Sequence, residues 1–190
     1  MNNNDALKDN IQFQFSISRK LLEYHLSSLE QEEYMWQPSK SSLYIKETDG
    51  IWYAELPETE SYEIGPPSIA WTLWHITFWW EMVFDHSFGS GNLTKEDIEV
   101  TADAAKIKKH LHNLADRWEE KLSQLTEEEW TSSQLSAFPF NKEVEFHKLA
   151  SWLNLELMKN ASEIGYARFD YAADVERLNA NTKAAKGSDL

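Results

Sequence analysis

The stretch PPSIAWTLWHITFWWEM, residues 66–82, is the most informative part of this chain. Its two prolines suit the first turn of a helix and Ser68 suits the N-cap, so we expect a helix that begins here. The helix should continue to about His86, where the residues GSGN end it. The segment is almost entirely apolar apart from one imidazole, His75, which lies among four tryptophans. The sequence therefore predicts a buried helix that carries one ligand-type side chain.

Three further segments show apolar residues at the spacing of an amphipathic helix. The first segment precedes Pro38, the second has Thr101 as its predicted N-cap, and the third has Asn141 as its predicted N-cap after FPF. Gly165 lies inside the last segment, where it costs about 1 kcal/mol relative to alanine unless close packing requires it. Four long helices without a convincing set of strands predict an all-α fold, a four-helix bundle.

Residues 38–66 differ in composition from the helical segments. They contain Gly50, Gly65 and most of the prolines of the chain, with aromatic residues between them. We expect a long ordered loop between the first two long helices, with a short hairpin at Asp49-Gly50. A connection of this length allows a crossover instead of a plain up-and-down path, and ordered loops of this length are often functional.

The domain organisation follows from length and pattern. A chain of 190 residues is most simply a single domain. The helical pattern weakens towards residue 178, and the residues after it are small and polar. We therefore predict one domain over residues 1–178 and a flexible C-terminal tail over residues 179–190.

Charge and composition argue against several classes of protein. The net charge is −14, so the chain should repel the backbone of nucleic acids. The chain has no cysteine, which excludes disulfides, thiolate nucleophiles and cysteine-based zinc sites and fits a reducing compartment. No stretch approaches the roughly 18 apolar residues of a membrane span, and the N-terminus lacks the apolar core of a signal peptide. The sequence predicts a cytoplasmic protein that binds neither nucleic acid nor membrane.

Three polar residues of the last helical segment form one line along it. Glu156, Asn160 and Glu163 are spaced by four and three residues, which places them within about 60° of one another at the edge of the apolar stripe. With His75 from the facing helix they offer imidazole, amide and carboxylate ligands, a set that suits zinc, manganese or nickel. Each also has an ordinary structural explanation: Glu156 can pair with Lys159, and His75 can be a core histidine with a satisfied hydrogen bond. The predicted metal ligands are His75, Glu156, Asn160 and Glu163.

The segments SIAWTLWHITFWWEM and WLNLELMKNASEIGYARF resemble the DinB-like superfamily, as do YMWQPS and the aromatic loop before PPSIAW. The resemblance implies a four-helix bundle, often dimeric, that binds a divalent metal through one histidine of the second helix and an HxxxH pair of the fourth. The single histidine matches His75. The HxxxH pair falls on Glu156 and Asn160, with Glu163 one turn further, so two of the three imidazoles are replaced.

The resemblance leaves two main functions open. In the first, the chain is a homodimeric enzyme that depends on a divalent metal, a thiol transferase or hydrolase that acts on an unidentified small molecule with a low-molecular-weight thiol as cosubstrate. In the second, the chain has lost the metal site and is a metal-free bundle that binds a small molecule or serves dimerisation, with His75 and Glu156 as a buried hydrogen-bonded pair. A third alternative is that exposed tryptophans recruit a protein partner.

Overall fold

The computed structural model describes residues 3–59 and 61–187, and within these ranges four long helices form the bundle: α1 (Asn3–Ser27), α3 (Ile69–Phe88), α4 (Ala104–Gln124) and α6 (Phe146–Gly187). The remaining elements are two short helices, α2 (Gln31–Met35) and α5 (Glu127–Thr131), a hairpin of β1 (Lys46–Thr48) and β2 (Ile51–Tyr53), and the 3-10 turns Tyr62–Ile64 and Lys95–Asp97. The predicted all-α fold is confirmed. No helix in the described ranges is long and apolar enough to cross a membrane.

Two local predictions from the sequence are confirmed by the backbone. The side-chain oxygen of Ser68 accepts a hydrogen bond from the backbone N–H of Trp71, so Ser68 is the N-cap of α3. The hairpin turns at Asp49 and Gly50, whose φ angles are 54° and 79°. Positive φ at both central residues is the requirement of a type I′ turn, which explains why this pair forms a two-residue hairpin loop.

Two predicted helix starts are wrong by a few residues. The N-cap of α4 is Asp103, because its carboxylate accepts hydrogen bonds from two backbone N–H groups of the first turn, at 2.8 and 3.0 Å. Thr101 lies outside the helix and its hydroxyl accepts from the N–H of Asp103. Asn141 has a φ of 50°, which makes it part of a left-handed turn, whereas an N-cap needs an extended backbone. The last long helix therefore begins only at Phe146.

Helices α1 and α6 run parallel to each other. The side-chain amide of Asn154 donates to the carbonyl of Ile11, and fourteen residues later on α1 the ring of His25 lies against Gly165. Helix α3 runs antiparallel to α6, because His75 is near Asn160 at one end and Phe88 is near Phe146 at the other. Contacts of Glu81 with His110 and of Phe88 with Trp118 show that α3 and α4 are parallel. The topology is therefore up, down, down, up.

The crossover lies in the second connection of the bundle and not in the long first one. Parallel α3 and α4 require the chain between them to return along the bundle. His86, near the end of α3, is 3.0 Å from the carbonyl of Leu93, whereas the carbonyl of Thr101 accepts from Tyr34 of α2 at the opposite end. The first connection instead joins the end of α1 to the start of α3, and both lie at the same end of the bundle. Its length is therefore not needed to cross the bundle.

The bundle interior is a single apolar cluster with few polar groups. All nine tryptophans of the chain are buried or half-buried, so the alternative of exposed tryptophans that recruit a partner is wrong. A polar contact within the interior joins the parallel helices: Ser18 donates from its hydroxyl to the carbonyl of Asn154, and Asn154 is 3% exposed. Buried polar groups are tolerated where they are hydrogen-bonded, and this pair fixes the register of α1 against α6.

Helix α6 holds the end of α1 through Arg168 and Gly165. The guanidinium of Arg168 donates to Glu33 of α2 and to the carbonyls of His25 and Ser28. A Cβ added at Gly165 would lie 2.7 Å from Cε1 of the His25 ring, so any larger residue at this position would have to displace the ring. Burial of the ring, together with the charge of Arg168, lowers the pKa of His25.

The C-terminal boundary is not marked by the end of an element. Helix α6 continues without interruption from residue 178 to Gly187, and residues 188–190 of the predicted tail lie outside the described part. Residues 179–190 were expected to be flexible because of their small polar composition. That flexibility and the single domain over residues 1–178 stay predictions.

The contact between Gly165 and His25 can be measured with a double-mutant cycle. Gly165→Ala should lower the free energy of unfolding by about 1 kcal/mol, because the clash with the imidazole exceeds the gain in helix propensity. In a His25→Ala background the same change should raise the free energy of unfolding by up to about 1 kcal/mol, since only the propensity gain is left. Urea unfolding of the four proteins gives the coupling energy.

Ser162→Ala, on the exposed side of α6, is the matched control. Its effect should be the same in both backgrounds, because Ser162 bonds within its own helix, to the carbonyl of Met158. If Gly165→Ala has the same effect with and without His25, the ring does not require the glycine.

Candidate functional site

A cavity of about 510 Å³ lies between α3, α6 and the long connection that follows α2. Its walls are mostly apolar, with polar side chains on the α6 side. Cavities with an apolar lining and a few convergent polar groups are the usual binding sites for small molecules. The lining side chains are Leu43, Leu56, Pro57, Ile64, Pro67, Trp71 and Trp79, with Ser61, His75, Lys159, Asn160 and Glu163, and Gly65 completes the wall.

The long connection forms one wall because it is fixed to the start of α3. The backbone N–H of Ser68 donates to the carbonyl of Leu43 at 2.8 Å, and the indole N–H of Trp71 donates to the carbonyl of Glu55 at 2.9 Å. Gly65 has a φ of 76°, and a Cβ there would lie 2.9 Å from the hydroxyl oxygen of Ser41. The long connection, which was predicted from its composition to be an ordered loop, thus forms one wall of the cavity.

The ring of His75 is held by two tryptophans of its own helix. Trp71 stacks on it with ring centroids 4.8 Å apart and an interplanar angle of 17°. The indole N–H of Trp79, one turn further along α3, donates to Nε2 of the ring at 2.8 Å. An indole nitrogen only donates, so Nε2 must be an unprotonated acceptor. The lone pair of Nε2 is therefore already used within the protein.

The other ring nitrogen of His75 faces Asn160 on α6. Nδ1 lies 3.4 Å from the carbonyl oxygen Oδ1 of Asn160. Because Nε2 is the acceptor, a neutral ring carries its hydrogen on Nδ1 and donates it to that oxygen. Asn160 is 1% exposed and also lines the cavity. Asn160, one of the predicted metal ligands, is thus a buried residue whose amide is a hydrogen-bond partner of the ring.

The two predicted carboxylates have different positions. Glu163 lines the cavity together with Lys159, one turn before it on α6. Glu156 is outside the lining of the cavity, and its carboxylate oxygen lies 2.7 Å from Nζ of Lys159. The ion pair that was the structural alternative for Glu156 is therefore present. Three of the four predicted residues, His75, Asn160 and Glu163, are brought to one cavity, and Glu156 lies beside it.

The residues at the cavity are a poor match to a divalent-metal site. Within residues 3–59 and 61–187, no group of three or more His, Asp or Glu side chains is arranged to hold a metal ion. The single imidazole uses both nitrogens in contacts within the protein, and a neutral amide oxygen is a weak ligand for zinc. No reaction step follows from these side chains through a metal.

Two residues of the site were missed by sequence reasoning. Trp79 was assigned only to the apolar surroundings of His75, although its spacing of four residues places its indole N–H within reach of the ring. Lys159 was assigned only to an ion pair with Glu156, and it also lines the cavity. The position of each residue relative to the predicted ligands on its helix could have indicated both. The residues of the long connection that line the cavity show no periodic spacing that could have indicated them.

The comparisons with known proteins agree with the fold. The family model described as the DinB superfamily matches residues 14–164, from the middle of α1 to the middle of α6, and the match includes His75 and Asn160. No curated protein and no solved structure matches the chain. A match over most of the chain is sufficient to assign the family, and the chain belongs to the DinB superfamily.

Proposed function

We propose that this protein binds a small, largely apolar molecule in the cavity between α3, α6 and the long connection, without a resident metal ion. The observation that carries the proposal is the state of His75: Trp79 and Asn160 occupy both ring nitrogens inside a cavity whose walls are mostly apolar. A ring engaged in this way orients the polar side of the cavity and is not available as a ligand. The site is therefore a recognition site, and we assign no catalytic residue.

The size of the cavity supports a molecule of one or two fused rings. A volume of about 510 Å³ lies within the range that is usual for small-molecule sites. Trp71 and Trp79 supply flat aromatic surfaces, and Leu43, Leu56 and Ile64 of the connection close the opposite side. Flat aromatic walls favour a flat ligand, because rings stack and meet edge to face with favourable energy.

Metal-dependent chemistry with a low-molecular-weight thiol stays a prediction of the family resemblance. It would require Trp79 to release Nε2 of His75, and it would need the carboxylate of Glu163 in addition to one imidazole and one weakly binding amide. Both requirements disfavour metal binding, because the hydrogen bond from the indole of Trp79 to Nε2 of His75 must be broken first. We therefore place the metal-free alternative first and test the two directly.

Filling the cavity should abolish binding of a flat apolar probe. Leu56→Trp places a larger side chain on the wall, so we expect it to weaken binding of naphthalene by about tenfold or more through lost volume. Isothermal titration calorimetry with the purified, untagged protein measures the affinity. Ile51→Trp is the matched control, since Ile51 is 69% exposed on the hairpin and its replacement should leave the affinity unchanged.

Divalent ions should leave the stability unchanged. A ligand that binds only the folded state raises the free energy of unfolding, so Zn²⁺, Ni²⁺ and Mn²⁺ should each produce no increase in the melting temperature of untagged protein. The His75→Ala variant distinguishes this site from the other five histidines. An increase that is present in the parent protein and lost in His75→Ala would contradict the proposal and would support the metal-dependent enzyme.

A second proposal concerns assembly, because α1 and α6 carry a largely apolar face on the outside of the bundle. Three exposed side chains of α1 are spaced by four and seven residues, and three of α6 by eleven and three, so each set lies on one side of its helix. The two helices are parallel neighbours, which makes the two sets one surface. The face consists of Phe13, Ile17, Tyr24, Leu155, Tyr166 and Phe169.

The area of this face suits a second copy of the chain. Its residues are 42–77% exposed, which amounts to about 800 Å² if each large side chain offers roughly 200 Å². A standard protein interface buries about 800 Å² on each partner. None of the six residues is charged, and Lys20, which is exposed between Ile17 and Tyr24, is opposite in sign to the net charge of −14, so two such faces can meet. We propose a twofold homodimer through this face.

A charge placed on the face should separate the dimer. Phe169 is 77% exposed, the highest value of the six, so Phe169→Arg removes a large aromatic surface from the face without disturbing the interior, and it should convert a dimer to a monomer. Sedimentation equilibrium gives the mass of both proteins. Ile51→Arg, which changes an equally exposed apolar residue on the hairpin, should stay dimeric. A monomeric parent protein, or a dimer that persists in Phe169→Arg, would rule out this interface.

A further inference from the structure

We infer that the cavity selects ligands that carry an uncharged carbonyl oxygen beside a flat apolar ring, and that Asn160 makes this selection. The inference rests on the proposed small-molecule function and adds the chemical class of the ligand. It follows from the direction of three consecutive hydrogen-bonding groups. The relay, as we call it, consists of Trp79, His75 and Asn160.

The direction of the relay is set by its first member. The indole of Trp79 has a hydrogen to donate and no lone pair to accept with, so Nε2 of His75 is the acceptor at 2.8 Å. The hydrogen of the neutral ring is then on Nδ1, and the group of Asn160 that faces it must be the acceptor Oδ1. Each assignment forces the next one. The side-chain amide of Asn160 therefore has a fixed orientation.

The end of the relay is an amide NH₂ group at the cavity. Since Oδ1 of Asn160 faces the ring, Nδ2 is on the other side of the amide, and no hydrogen bond between described residues uses Nδ2. Asn160 is 1% exposed and lines the cavity, and Nδ2 is not one of the fully buried atoms without a partner, so its amide group keeps a small accessible surface there. An acceptor supplied by a ligand gives Nδ2 a hydrogen bond that an apolar group cannot give. The cavity thus presents a donor and favours a ligand that accepts.

The charges near Asn160 favour a neutral acceptor over a carboxylate. Lys159 and Glu163 both line the cavity, and Lys159 is also paired with Glu156 at 2.7 Å. These three side chains carry one positive and two negative charges, so the wall offers no excess of positive charge to an anion. A carboxylate ligand would also approach a chain whose net charge is −14. A ketone or amide carbonyl satisfies Nδ2 without this repulsion.

Two probes of the same shape isolate the hydrogen bond. 2-Acetylnaphthalene and 2-isopropenylnaphthalene differ only in an oxygen that replaces a CH₂ group. We expect the parent protein to bind the ketone about tenfold more tightly by calorimetry, since a single hydrogen bond to Nδ2 of Asn160 distinguishes them. 2-Naphthoate, the third probe, should bind more weakly than the ketone. Tighter binding of 2-naphthoate would overturn the preference for a neutral acceptor.

Asn160→Asp tests the assigned residue. The carboxylate still accepts from Nδ1 of His75 but has no hydrogens to donate to a ligand, so the preference for the ketone over the alkene should disappear. Asn113→Asp is the matched control, because it makes the same change at an exposed position of α4 outside the cavity, and it should keep the preference. A preference that survives in Asn160→Asp, or one that is lost in Asn113→Asp, would overturn the role of Asn160.

The outcomes separate this inference from the proposed function. Equal binding of ketone and alkene overturns the selection by Asn160 and leaves the cavity as a binding site. Failure of all three naphthalene probes to bind overturns both. If Asn160→Asp does not fold, ¹⁵N NMR of the parent imidazoles, with His75→Gln for assignment, still decides: we expect the hydrogen on Nδ1 of His75, and a hydrogen on Nε2 would overturn the relay.

Discussion

The structure depends on the parallel contact between α1 and α6. Parallel neighbours cannot be joined by short turns alone, so the topology needs a crossover, and the chain makes it in the segment from Leu93 to Thr101. The contact is close because Gly165 admits the ring of His25, and its register is held by Asn154 within the interior and by Arg168 at the end of α1. With α6 fixed on this side, its opposite edge faces α3 and forms one side of the cavity.

Local chemistry explains which parts of the fold were predictable from sequence. The N-cap Ser68 and the turn at Asp49-Gly50 were predictable because each depends on the properties of one or two residues. The N-cap Asp103 was missed because Thr101 is also a favourable cap by residue type, and its bonds to Asp103 and Tyr34 are visible only in the folded chain. The position of the crossover depends on the relative directions of the helices, and the spacing of apolar residues along the sequence does not specify those directions.

The candidate site was predictable on α3 and α6 but not in its chemistry. The spacing of Asn160 and Glu163 placed them on the inner edge of α6, and the aromatic surroundings of His75 indicated burial. The role of the His75 ring depends on Trp79. The indole of Trp79 can only donate, so it determines that Nε2 of His75 is the unprotonated nitrogen. Asn160 was predicted from the sequence as a metal ligand, and the structure shows its amide as a hydrogen-bond partner of the ring.

The bond between Trp79 and His75 lies entirely within α3, and this has an evolutionary consequence. The orientation of the imidazole is set by residues of α3 alone. The other groups that line the cavity come from α6 and from the long connection. Under the proposed function, substitutions at position 160 or 163 would therefore change what the cavity recognises without disturbing the part that orients the ring. The proposed specificity could then diverge by single codon changes while the architecture stays the same.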